Sequence, residues 1–295
     1  MFYFFSLIMG VMISVMLAFN GGLTAVYGIY SATIIIHIIG LILITAVVFI
    51  KKERFFTGRY SWFLYLGGAI GVITTIFTNF AFGRISLSAI LALGLLGQSV
   101  TSIIIDQYGL LGMHKHPFTK SKLIGLSLIL AGIVFMITNF EIAAVIVSFI
   151  AGCNIVISRT LNARLSDLTS VRISTFYNYL VGIAISILAF LLLGRGETGF
   201  AQFALSPNWH IYLGGALGVA VILLSNIVVI KISAFYLTLL IFVGQVFSGV
   251  LIDAILTQAV SSRNLIGGVM VAAGLSINLA LDNKDFFAKA SPPSL

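Results

Sequence analysis

Charge is what this 295-residue chain has least of. Asp and Glu together number 8, and the four charged residue types make up only 8% of the sequence. A soluble domain of this length could not solvate its surface with so few charges, so a soluble fold is excluded. Cysteine occurs once, at Cys153, and no intrachain disulfide can form. Cys153 follows Gly152 within an apolar run and reads as a small packing residue, not a reactive thiol. No phosphate-cradling P-loop occurs, which argues against ATP-driven work by this chain alone. The net charge is +8, yet the basic residues form no stripe interleaved with aromatics, and nucleic acid is not an expected partner. His114 and His116 stand two apart, without Cys or further acids nearby, and are read as solvated; no metal or other cofactor is expected.

Hydrocarbon fills the space that charge leaves. The chain is 60% hydrophobic, with a mean hydropathy of +1.17. Apolar runs of bilayer-spanning length recur ten times, at about 2–20, 30–50, 61–81, 86–105, 121–140, 142–159, 172–193, 209–230, 233–252 and 263–281. The expected fold is an all-α polytopic membrane protein of ten transmembrane helices. The first run lacks a charged leading region and a small-residue cleavage site, so it reads as a retained span. Connections are short, which leaves no room for a soluble catalytic domain. The segment from Asp282 onward reads as a short disordered tail.

The chain also repeats itself. "WFLYLGGAIGV" at Trp62–Val72 returns as "WHIYLGGALGV" at Trp209–Val219, and "GQSVTSIIID" at Gly97–Asp106 returns as "GQVFSGVLID" at Gly244–Asp253, both at an offset of 147. Gly10, Asn20 and Gly40 recur as Gly152, Asn162 and Gly182 at an offset of 142, as do Gly125 and Gly132 in Gly267 and Gly274. The expected division is a first five-helix repeat at 1–141, a second at 142–282, and a cytoplasmic tail at 283–295.

Charge placement orients the two copies. With the N-terminus inside, the cytoplasmic loops hold Lys51, Lys52, Arg54, Arg59, Lys115, Lys120, Lys122, Arg159, Arg164, Arg172, Lys231, Lys284 and Lys289. The outer loops hold only Arg84, Arg195 and Arg263. Positive residues mark the cytoplasmic side, so both termini are expected there. Five spans per half is an odd number, so the second copy must enter upside down. The loops agree: "KKERFFTGR" is basic where its counterpart "GRGETG" is nearly neutral, and "NARLSDLTSVR" is basic where "NGGLTAVYGIY" is uncharged. Two inverted five-helix repeats are the sequence mark of an alternating-access transporter.

This arrangement resembles the drug/metabolite transporter superfamily. The glycine-rich "LYLGGAIGV" and the "GQ…D" segment look most like the YdcZ family within it, whose members occur as single five-span chains and as fused pairs. The resemblance implies a bacterial cytoplasmic-membrane carrier that exports a small metabolite. It supplies no substrate. The first span carries no glutamate, unlike the small cationic-drug exporters, which disfavours a guanidinium or quaternary-ammonium cargo.

Polar groups are costly in hydrocarbon and face the protein interior. Gln98 and Gln245 recur mid-span and are candidates for a central substrate site; the alternative is interhelical bonding. Asn79 and Asn226 are weighed the same way. Asn20 and Asn162 fall where the first span of each half meets its loop, and capping is favoured there. His37 lies within a span, with Tyr179 as its repeat partner. It is a candidate substrate ligand and, on one reading, a proton carrier. Tyr177 and Asn178 beside Tyr179 suggest a cavity more aromatic and polar on the second half's side. Asp106 and Asp253 at the ends of the fourth spans read as paired gates or as solvated helix-end carboxylates. Gly67, Gly68, Gly71, Gly214, Gly215 and Gly218 form small-residue faces for close helix packing.

The function expected is secondary transport, with a bilayer and a small neutral, zwitterionic or amphipathic molecule as partners, by a monomer or homodimer. The alternative is a lipid translocator or a non-transporting membrane-assembly protein. An enzyme is not expected, because the spans hold no nucleophile–base or metal-ligand set.

Overall fold

The computed structural model describes residues 2–55, 58–112, 122–136, 141–197, 205–228, 231, 234–258 and 261–290. They form ten α-helices: α1 (Phe2–Tyr27), α2 (Ile29–Ile50), α3 (Leu66–Ala81), α4 (Leu87–Tyr108), α5 (Lys122–Met136), α6 (Ile142–Leu168), α7 (Val171–Leu193), α8 (Leu213–Val228), α9 (Ala234–Thr257) and α10 (Ser262–Ala290). Short 3-10 turns at Trp62–Tyr65 and Trp209–Tyr212 lead into α3 and α8. Among the described residues seven helical segments are long and apolar enough to cross a membrane. His114 and His116 lie outside the described residues.

Local chemistry sets the helix ends. Gly28 takes a φ of 86° and breaks α1 from α2, a conformation in which a Cβ would be strained. Ser86 and Ser170 cap α4 and α7, their hydroxyls accepting from the N–H groups of Ala89 at 3.2 Å and Ile173 at 3.1 Å.

Two boundaries differ from the sequence reading in a way that matters below. α1 runs to Tyr27 and α6 to Leu168, well past the ends of their apolar runs. Asn20, Asn162 and Arg159 therefore lie inside helices, where the sequence placed loop ends. In α6 the helix continues through Asn162 because that side chain bonds Ser158 and Asn178 in the packed interior. The third difference is at the end, where α10 continues to Ala290 through a segment read as disordered. No proline interrupts that stretch before Pro292.

Helices of one half pack chiefly on helices of the other. α1 lies against α8 and α9, and α6 against α3 and α4. α2 crosses α7, α4 crosses α9, and α5 crosses α10. Exchanging the halves reproduces this pairing. Glycine makes the crossings close. A Cβ on Gly10 would lie 2.9 Å from the Gln245 nitrogen and run into the Ile241 carbonyl on α9. The same holds for Gly152 against Gly94, and for Gly97 against Phe149, where α4 meets α6. At the α5–α10 crossing, a Cβ on Gly132 would come 2.7 Å from the Gly267 carbonyl, and one on Gly274 2.6 Å from that of Gly125. Cys153 sits in the α4–α6 crossing, its thiol 3.6 Å from the Gly97 carbonyl.

Backbone cannot move aside as a flexible side chain can. Gly10→Val is therefore expected to destabilise the bundle by at least about 1–3 kcal/mol. Gly196→Ala, with nothing within 4 Å of the added carbon, should be neutral. Thermal unfolding of the purified variants checks both.

Candidate functional site

One cavity of about 200 Å³ opens between the halves, lined by residues of α1, α2, α3, α4, α6, α7, α8 and α9. The structure brings five of the six expected substrate residues to its wall: Gln98, Gln245, Asn226, His37 and Tyr179. It leaves out Asn79, which is buried in α3 away from the lining and whose Nδ2 has no hydrogen-bond partner among the described residues.

Three polar residues that sequence reasoning assigned elsewhere do line it. Asn20 and Asn162 were expected to cap, but both are buried within helices. Asn162 Nδ2 donates to Asn178 Oδ1 at 2.9 Å, and the Asn20 Oδ1 has no partner. The third is Arg159, counted above as a loop cation. It projects from α6 into the cavity and donates from Nη2 to Gln98 Oε1 at 3.3 Å. Among the described residues no carboxylate pairs with it. At the centre of a span a charge costs about 3 kcal/mol on insertion scales, so a cation inside a helix of spanning length is a candidate for function. The signal was in the repeat: position 159 answers to Leu17, so one copy carries a cation where the other carries an apolar side chain.

His37 and Tyr179 face each other where α2 crosses α7, with ring centroids 5.8 Å apart. Each ring fills the space over a glycine of the opposite helix, His37 over Gly182 and Tyr179 over Gly40. His37 Nδ1 lies 2.8 Å from the Thr33 carbonyl, which can only accept, so this nitrogen carries a proton. Tyr177 turns away from the cavity, stacks edge-on against Tyr65 at 4.9 Å and donates to the Phe55 carbonyl at 3.0 Å. The expected aromatic wall is thus reduced to Tyr179.

The repeated glycines grade from packing to cavity. Gly67 and Gly214 seat the amide oxygens of Asn162 and Asn20. Gly68 and Gly215 admit the backbone of α7 and α2. Gly71 and Gly218 line the cavity; the nearest atom to a Cβ on Gly71 would be 3.9 Å away, and the Tyr179 hydroxyl would be 2.6 Å from one on Gly218.

Three acids each clamp a helix start in the other half. Asp253 accepts from the N–H groups of Leu87 and Ser88, both at 3.0 Å, at the start of α4. Glu197 accepts from the N–H groups of Tyr30 at 3.0 Å and Ser31 at 2.9 Å, at the start of α2. Glu53 accepts from Ser170 at 2.6 Å and pairs with Arg172 at the start of α7. A helix N-terminus offers free N–H donors and partial positive charge, which suits a carboxylate. Asp106 lies in α4 near its end; its side chain is outside those described. Arg84 and Glu141 bridge the junction of the halves at 2.9 Å.

Long apolar helices around a mostly apolar cavity set with a few polar side chains fit a membrane transporter. The family model described as "Putative inner membrane exporter, YdcZ" matches residues 1–135 and again 143–277. The chain belongs to that family, as a multi-pass protein of the inner membrane. A protein of known crystal structure shares the fold, with a TM-score of 0.68 at 15% identity over 95% of this chain and 96% of its own. No curated protein matches the chain in sequence.

Burial raises the Glu53 carboxyl, but hydrogen bonds from Ser170 and Arg172 and the charge of Arg172 outweigh it and hold Glu53 below the ordinary carboxylate range. A lowered acid stabilises the fold fully above its unfolded value and loses that contribution as pH falls through the folded one. Melting temperature should therefore drop more steeply below roughly pH 4 in the wild type than in Glu53→Gln.

Proposed function

We propose that the protein is a secondary exporter working by alternating access, built as two inverted five-helix repeats at 1–141 and 142–282, followed by a cytoplasmic tail. The observation that carries this reading is the cavity itself. It lies between the halves and draws corresponding residues from both, as with Gln98 and Gln245, Asn20 and Asn162, and His37 and Tyr179. Rocking one bundle against the other would expose such a site to each side in turn. Both termini face the cytoplasm in this reading, as the basic loops favour. The cargo is a small neutral, zwitterionic or amphipathic metabolite, bound by Gln98, Gln245, Asn226, His37 and Tyr179, and a single chain holds the whole site.

Asp253 and Asp106 act as gates at opposite rims. Asp253 supports this by holding the α4 start from α9, a contact between the halves that opening would break. His37 is the proton carrier, where coupling to protons is used.

Accessibility tests the cycle directly. In a Cys153→Ser background, Val221→Cys in the cavity wall should react with a membrane-impermeant thiol reagent from either side of an oriented vesicle. Reaction from one side only, or from neither, would sink alternating access. His37→Gln should leave the protein folded and abolish stimulation of transport by an imposed pH gradient, measured in proteoliposomes. Stimulation that survives would remove His37 from the proton path.

A further inference from the structure

The two faces of the cavity differ in chemistry, and the repeat shows how. Arg159 answers to Leu17, and Ser158 to Met16, at an offset of 142. Asn178 answers to Ile36 at the same offset, and Thr75 to Ile222 at 147. All of these line the cavity. The polar members come from α3, α6 and α7, which pack on one another. Their apolar counterparts come from α1, α2 and α8, which likewise pack together.

Within the polar face, Arg159 sets the sign. Its guanidinium carries five N–H donors, of which one goes to Gln98 Oε1 at 3.3 Å. Among the described residues the others meet no acceptor. A donor that cannot accept also fixes the Gln98 amide, because Oε1 must face Arg159 and Nε2 is left as a further donor. Among the described residues the lining includes no Asp or Glu. A planar fork of donors beside a free amide N–H₂ complements a carboxylate, with two oxygens in one plane. An apolar cavity of about 150 Å³ holds a benzene ring, so a cavity of about 200 Å³ suits a ring or branched chain of similar bulk.

We infer that the cargo is a small amphipathic organic acid, its carboxylate on Arg159 and Gln98 and its hydrocarbon body against the face of Leu17, Met16 and Ile222. This rests on the reading of the cavity as the transport site and narrows its substrate class to anions. An acidic lipid shares the same chemistry, and the experiment separates it from a free acid.

The test uses the full chain in detergent and compares 3-phenylpropanoate, its uncharged amide, the corresponding amine and oleate by thermal shift. Ligand that binds only the folded state raises the melting temperature with concentration. The acid should bind at least about tenfold more tightly than the amide, and the amine should not bind. Arg159→Gln should erase the preference for acid over amide while eluting as a monodisperse protein, and Arg159→Lys should keep part of it. The wild-type comparison needs no variant, so a poorly folding Arg159→Gln leaves the inference exposed to refutation. Equal binding of acid and amide, binding of oleate alone, no binding by any acid, or a preference that survives in a folded Arg159→Gln would each overturn it. Proteoliposome uptake separates the two claims. Acid bound at Arg159 but never transported upholds the anion site and sinks the carrier, whereas equal transport of acid and amide upholds the carrier and sinks the anion site.

Discussion

Backbone-to-backbone contact between helices of opposite halves is the constraint on which this structure depends. In lipid the tails are as apolar as leucine, so helices gain little by hiding apolar side chains and must associate through close packing. Glycine supplies that closeness where α1 meets α9, where α4 meets α6 and where α5 meets α10. Because the partners come from different halves, neither half is packed chiefly on itself. The cavity lies where this contact lapses. Along α3, Gly67 and Gly68 are filled by Asn162 and by the α7 backbone, and one turn on a Cβ at Gly71 would meet nothing closer than 3.9 Å.

Charge is distributed by the same logic. Glu197 and Asp253 are spent at helix starts, where free backbone N–H groups already ask for an acceptor, and Glu53 holds the Ser170 and Arg172 side chains at the start of α7. These contacts tie the halves together at their rims. None of these acids lines the interior, and Arg159 is left there with a glutamine as its protein partner. The interior is consequently positive on one face, while the other sets Met16, Leu17, Ile36 and Ile222 among the uncharged polar groups of Asn20, His37 and Asn226. A duplicated chain would begin with two equal faces; substitutions at Arg159, Ser158 and Asn178, or at their counterparts, have made them unequal.

Much of this was legible in the sequence, and the failures have one cause. Gln98 and Gln245 stood out because both copies keep an amide mid-run, with interhelical bonding as the alternative, and both reach the cavity. Asn79 and Asn226 looked equivalent, yet only Asn226 lines it, because the wall is not symmetric at side-chain level. Arg159, Asn20 and Asn162 were misplaced because a polar residue after an apolar run looks like the end of a span. The helix continued because Ser158, Asn162 and Asn178 bond to one another and to Gly67 across three helices, a compensation that hydropathy along one segment cannot register.

The sequence by itself determined the helical membrane class, the internal repeat and the glycine positions, since these follow from composition, run length and self-similarity. Only the tertiary structure decided which polar groups share a space. It set Arg159 against Gln98, Tyr179 over Gly40, and Asp253 on the start of α4. Such pairings join residues far apart in the chain, and their energies depend on which helices cross and at which turn. That choice is made by packing across the two halves, where a single turn moves a side chain from lipid to cavity.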